Sequence, residues 1–145
     1  MENWFMMIPI SWWRQKMTPK FRAWDKTRNE WSNGFFIYSE GGLYTPNYGF
    51  NRKHLKNRTD VYPIVKQERF ILMQSTGLFD RDGKEIFEGD VVRILDEKLS
   101  KIYYSDGAFC VDILNGGTPL HAFLSEQLEI IGNIYKNPEL LEETK

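Results

Sequence analysis

Apolar and polar positions alternate in short runs, and the breaks between those runs carry the turn-forming residues. Lys20–Trp24 alternates and ends in Asp25, Lys26 and Asn29, which predicts a strand and a turn. Trp31–Ser39 holds Phe35, Phe36, Ile37 and Tyr38, a second strand closed by Gly41-Gly42. From Tyr44 to Pro63 no period survives, and Pro46, Gly49 and Pro63 mark it as mostly loop. Val61–Val65 and Arg69–Gln74 read as strands, the second feeding the densest turn grammar in the chain, Leu72–Ile94.

That stretch predicts a hairpin. A two-residue turn centred on Asp82-Gly83 would set Asp80 opposite Glu85, and opposed like charges destabilise a ladder. A three-residue loop of Arg81, Asp82 and Gly83 sets Asp80 opposite Lys84 and puts Gly83 at the left-handed position, so it is preferred. Gly89 then interrupts the outgoing strand, which restarts as Val91–Leu95. Next, Asp106-Gly107 predicts a two-residue turn with Tyr104 facing Phe109, Ile102 facing Val111 and Lys101 facing Asp112. Asn115-Gly116-Gly117 turns the chain again. A short helix near Leu124–Gln127 precedes a last strand, Leu128–Tyr135. Asn137 as cap, Pro138 at the first helical position and Glu139 beside the positive end of the dipole predict a terminal helix over 137–145, held by Leu140 and Leu141. With no repeat of 20–50 residues, the expected fold is mainly β with a minor helical part: a small curved sheet or SH3-like barrel and a short C-terminal helix.

Composition agrees with strands. Of 145 residues 41% are hydrophobic and 15% aromatic, with ten Phe, seven Tyr and five Trp. The length suits a single domain over 17–145, made of N-terminal strands and a variable basic loop (18–71), a barrel-like core (72–135) and the terminal helix. A net charge of −1 gives no overall electrostatic footprint for DNA or an anionic membrane. The single cysteine, Cys110, excludes an internal disulfide, fits a reducing compartment and sits in AFCVDI as a packed residue. His54 lies in a basic run and His121 in an apolar one, and neither has a nucleophile or orienting partner near it in sequence.

Residues 1–16 look foreign to the rest of the chain. Pro9 breaks the apolar run Trp4–Trp13, which is too short to span a bilayer and lacks the front segment of a signal peptide. Trp13 is encoded TGG, and an AGG codon for Arg14 would complete GGAGG, a ribosome-binding sequence. Gln15 and Lys16 then serve as spacer. The expectation is that residues 1–16 are translated leader and that Met17 is the native start.

Two clusters invite chemistry. Asp80, Asp82, Glu85, Glu88 and Asp90 are five carboxylates within eleven positions, and Asp-x-Asp-Gly opens like a calcium loop. Such a loop needs alternating ligands, Gly at the sixth position and Glu at the twelfth; here Gly83 comes fourth and Arg81 and Lys84 add positive charge. The hairpin is the plainer reading, with Asp80, Asp82, Gly83, Gly89, Asp106 and Gly107 as structural turn residues and no metal or cofactor. The second cluster, Arg52, Lys53, Lys56 and Arg58, is uninterrupted by acid and flanked by Tyr44, Tyr48, Phe50 and Tyr62. Cations interleaved with aromatic faces suit a phosphate backbone with unstacked bases, contacted by Arg52, Lys53, Lys56, Arg58, Tyr48 and Phe50. The competing reading is a solvated loop whose rings fold inward. No Walker loop, dinucleotide fingerprint, paired-Cys site or His-Glu-x-x-His occurs, so no catalytic residues are assigned.

KFRAWDK at Lys20–Lys26, MQSTGLFDRDGKEIFEGDVV at Met73–Val92 and IIGNIYKNPELLE at Ile130–Glu142 together resemble the YopX family of phage and prophage proteins. The resemblance implies a mostly β accessory protein in the cytoplasm of a bacterial host and carries over no catalytic residue or cofactor. Three functions stay open: a module that binds a host or phage protein, a nucleic-acid-binding module using the 52–58 loop, and a metal-dependent hydrolase on the acidic hairpin.

Overall fold

The computed structural model describes residues 18–32, 35–37, 39, 43–44, 69–113 and 116–142. In these, the chain runs β1 (Phe21–Asp25), β2 (Glu30–Trp31), β3 (Phe36–Ile37), β4 (Leu43–Tyr44), β5 (Phe70–Phe79), β6 (Glu85–Phe87), β7 (Asp90–Ile94), β8 (Lys98–Lys101), β9 (Tyr103–Ser105), β10 (Ala108–Asp112), β11 (Gly117–Pro119), β12 (Leu128–Asn133) and α1 (Glu139–Glu142). Every described strand pair is antiparallel, both those joined by tight turns and the long-range pairs β1–β5 and β7–β12. The ladders run β2-β1-β5-β6, β12-β7-β8, β11-β10-β9 and β3-β4. The protein is mainly β, and its sheet curls into a half-barrel with one short C-terminal helix.

The predicted central hairpin forms. Asp80 N–H donates to Lys84 O at 2.8 Å and Gly83 N–H to Asp80 O at 3.0 Å, with Gly83 at φ +76. Gly77 (φ +75) accompanies a register shift between Ser75 and Phe79, which bends β5 where β6 joins it. At Gly89 (φ +83) the chain leaves one ladder for the next. A Cβ there would come within 3.1 Å of Met73 Sδ, so close approach as well as backbone angle selects glycine.

Asp106 (φ +49) and Gly107 (φ +83) make the expected two-residue turn, and Tyr104 faces Phe109. The register beyond Cys110↔Tyr103 departs from expectation. Ile102 leaves this ladder: its N–H donates to Asp90 O at 2.8 Å and its carbonyl accepts Gly89 N–H at 2.9 Å. Lys101 pairs with Val91 in β7 instead of Asp112, whose carboxylate takes the Tyr103 hydroxyl at 2.7 Å. The expected single strand is thus two, β8 and β9, bent at Ile102 so that each half pairs with a different neighbour. Ile102 and Val111 still meet, but in the core. They pack there with Ile86, Val92, Ile94, Leu120 and Leu128.

Strand β7 ends at Ile94, one residue early, because Leu95 (φ +52) and Asp96 (φ +62) both turn left-handed. Residues Ser125–Gln127 form a 3-10 turn where a short helix was expected, and Leu128–Asn133 the last strand. Asn137 does not cap α1 with its side chain. Its Oδ1 accepts from Asn133 N–H at 3.3 Å, while Leu140 N–H bonds the Asn137 backbone carbonyl at 3.2 Å.

Candidate functional site

Carboxylates dominate the polar chemistry of the described residues, and several of them are buried. Asp80 and Asp90 are each 2% exposed, as is Asp25 in the first turn. All three sit at strand ends and accept from backbone N–H groups that no ladder serves.

Asp80 Oδ1 accepts from Asp82 N–H and Lys84 N–H at 2.9 Å each, closing its own turn, and Oδ2 reaches Ile130 N–H at 3.0 Å on β12. Burial pushes its pKa up, but the N–H donors of Ile130, Lys84 and Asp82 outweigh that and hold it below the ordinary value. Asp80 stands opposite Lys84 as expected, with its carboxylate turned inward.

Asp25 receives a bidentate fork from Arg69, Nε to Oδ1 at 3.0 Å and Nη2 to Oδ2 at 2.7 Å. Thr27 N–H at 2.9 Å and Arg28 N–H at 3.2 Å complete its shell. The Arg69 hydrogen bond, aided by these amides, lowers its pKa against the opposing push of burial.

Asp90 accepts Phe87 N–H at 2.8 Å, the Arg22 guanidinium, and Asn133 Nδ2 at 3.4 Å. Arg22 lies between two rings, 4.5 Å from the Trp31 centroid and 4.6 Å from that of Phe87. The cluster therefore ties β1, β2, β6, β7 and β12 together through one charge pair.

These bonds decide what the acidic hairpin can do. Both oxygens of Asp80 and of Asp90 are occupied by protein donors, Asp82 is exposed, and Glu85 bonds Ser75 Oγ at 3.0 Å. Among the described residues no group of three His, Cys, Asp or Glu is arranged to hold a metal. Asp82, Gly83, Gly89, Asp106 and Gly107 lie in turns, as their sequence context led one to expect. Arg52, Lys53, Lys56, Arg58, Tyr48 and Phe50 lie outside the described residues, as do residues 1–17 and Val61–Val65. Cys110 is buried.

Sequence reasoning missed two surface features. At one end, Phe79, Leu95 and Leu124 are 45%, 55% and 67% exposed. Arg81, two residues after Phe79, donates its N–H to Leu128 O, Leu95 N–H donates to Gln127 O, and Leu124 N–H to Gln127 Oε1, so these turns meet at Gln127–Leu128. An Arg81–Asp96 ion pair of 2.7 Å joins two of the turns. Elsewhere, a cleft of about 180 Å³ opens between β5 and the β8–β9 bend, with Glu88 and Tyr135 at its mouth. Neither feature has a sequence motif, since each is assembled from separate turns and strands.

The fold and these surfaces define a small half-barrel β domain whose buried acids brace the scaffold. The family profile described as YopX protein matches residues 20–142, and the chain belongs to the YopX family. The crystal structure of protein EF1440 from Enterococcus faecalis is similar, at 27% identity and a TM-score of 0.57, covering 87% of this chain and 99% of that one. The crystal structure of protein yopX from Bacillus subtilis aligns at 25% identity and a TM-score of 0.54, covering 83% and 94%. A search of curated proteins finds no match. Among the described residues no helix is long and apolar enough to cross a membrane.

Proposed function

We propose that this protein is a non-catalytic protein-interaction module of a phage or prophage, acting in the bacterial host on a host or phage protein. The observation that carries the reading is the end where Phe79, Leu95 and Leu124 stand exposed on turns braced against Gln127–Leu128. Large apolar side chains on a rigid frame lose little ordering entropy on association and gain burial, about 25 cal/mol per Å² of apolar surface removed from water. Among the described residues, Asp80 and Asp90 have both oxygens taken by protein donors, which leaves neither as a free acid–base group.

The test is capture from bacterial lysate by the full chain and by a Phe79→Ser, Leu95→Asn, Leu124→Ser variant that remains folded. The reading expects a specific protein retained by the parent and lost by the variant. Equal capture by both, or none by the parent, would discard it. Nucleic-acid binding through Arg52, Lys53, Lys56 and Arg58 is a second reading, favoured by their interleaving with Tyr48 and Phe50. It expects affinity for single-stranded DNA or RNA to fall with salt at a log–log slope near −3, about −0.7 per phosphate contact.

A further inference from the structure

Among the described residues, strand β5 is paired on its outer side along only part of its length. Ser75 N–H bonds Lys20 O and Lys26 N–H bonds Arg69 O, both 2.8–3.0 Å, which fixes the phase of the β1–β5 ladder. Arg69, Ile71, Met73 and Ser75 therefore turn their backbone groups toward β1, and Phe70, Leu72 and Gln74 turn theirs the other way. On that other side Gln74 O accepts Glu88 N–H at 2.9 Å, the last rung toward β6. Gly89 then takes the chain off into β7. Among the described residues no backbone group pairs with the outward N–H and C=O of Phe70 or Leu72.

The cleft of about 180 Å³ lies against the Leu72 part of this edge. Leu72 and Met73 form one wall, Ile102 and Tyr103 the other, and Glu88 and Tyr135 stand where β6 stops. At roughly 30 Å³ of liquid per water it is on the order of six waters, room for about one or two residues of an extended chain and too little for a folded element.

We propose that this cleft takes one extended peptide segment of a partner protein, added antiparallel to β5 as a continuation of β6. Leu72, on the cleft wall, presents a donor and an acceptor side by side to an extended main chain, while Phe70 is buried and lies outside the cleft lining. The direction is set by β6, so the incoming segment has its N-terminal end beside Glu88. The Glu88 carboxylate makes no ion pair among the described residues, and a Lys or Arg early in the segment complements it. A β-branched or aliphatic residue opposite Leu72 would rest on Leu72 and Ile102. This site is separate from the exposed end formed by Phe79, Leu95 and Leu124, and stands or falls without it.

The test selects peptides of about seven random residues against the full chain by display, then synthesises the strongest and measures its affinity by fluorescence anisotropy. The proposal expects alternating, β-branched sequences with a basic residue near the N-terminal end. N-methylating the peptide amide that bonds Leu72 O should cost about tenfold or more, while methylating the next amide, which faces away, should cost less than about threefold. Glu88→Lys should weaken the same peptide at least about fivefold, and the Phe79, Leu95, Leu124 variant should bind it unchanged. Because the methyl scan alters only the peptide, it stays informative whatever the variants do to folding. Failure to select any peptide, equal losses at both amides, or indifference to Glu88→Lys would overturn the proposal.

Discussion

At Asp80 one buried carboxylate accepts three backbone N–H bonds, two within its own turn and one from Ile130 on β12. A buried donor left without a partner costs about 1–3 kcal/mol, and the Ile130 amide cannot recruit water as readily as those in the turn. Asp80→Ala is therefore expected to destabilise by about 2–4 kcal/mol in urea unfolding. Asp82→Ala, two residues along and exposed, should stay within about 0.5 kcal/mol. Equal effects would mean that Asp80 acts only through its turn. Leu95 offers the opposite sign. It holds φ +52 while 55% exposed, so an aliphatic residue stands where Asn or Gly is favoured. Leu95→Asn should raise stability by about 0.5–1 kcal/mol, and a loss would show that its side chain packs in a way its exposure does not suggest.

Among elements, the hairpins show what local chemistry can reveal. The three-residue loop at Arg81-Asp82-Gly83 and the Asp106-Gly107 turn were legible because turn type depends on residues within a few positions. Gly83 has nothing within 4 Å of a notional Cβ, so space permits a side chain and only its φ of +76 forbids one. Gly83→Val should then cost about 1–3 kcal/mol by thermal or urea unfolding; a harmless substitution would contradict the left-handed assignment. The bend between β8 and β9 was not legible, since Ile102 and Val111 fit a ladder as well as they fit the core. Only the competing bonds from Gly89 and Asp90 decide between them. Strand β11, Gly-Thr-Pro, was hidden by composition that argues against strands, and its Pro119 is tolerated because β11 is an edge. The Asp25–Arg69 and Asp90–Arg22 brackets join residues 44 and 68 positions apart, a pairing that no window of sequence displays. The part of the β5 edge that no described backbone group pairs is of the same kind, visible only once the phase of its ladder with β1 is known.

For the whole molecule, the buried acids link the separate ladders to pH. Asp25 joins the β1–β2 turn to the start of β5, and Asp80 joins the β5–β6 hairpin to β12. Both carboxyls are held below their ordinary pKa in the fold, Asp25 chiefly by Arg69 and Asp80 by backbone amides that outweigh its burial. A carboxyl whose pKa is depressed by folding binds protons more readily in the unfolded chain. Its contribution is therefore complete above the unfolded value of about 3.9 and is lost as pH falls through the lower folded value. Unfolding free energy should be flat near neutrality and decline as pH drops below about 5, with the bonds of Asp25 and of Asp80 loosening over the same window. The alkaline limb runs the other way: the Asp112 hydrogen bond pushes the Tyr103 phenol up to about 12, so its contribution is present below about 10 and lost as pH rises toward 12. Asp25→Asn and Asp80→Asn should each lower stability at pH 7 and flatten the acid slope, whereas Tyr103→Phe should leave the acid slope alone and flatten the alkaline one. Urea titrations of the parent and the three variants from about pH 2 to 11 separate these contributions. An acid slope unchanged in both Asp variants would show that Asp25 and Asp80 do not set the acid limit of the fold.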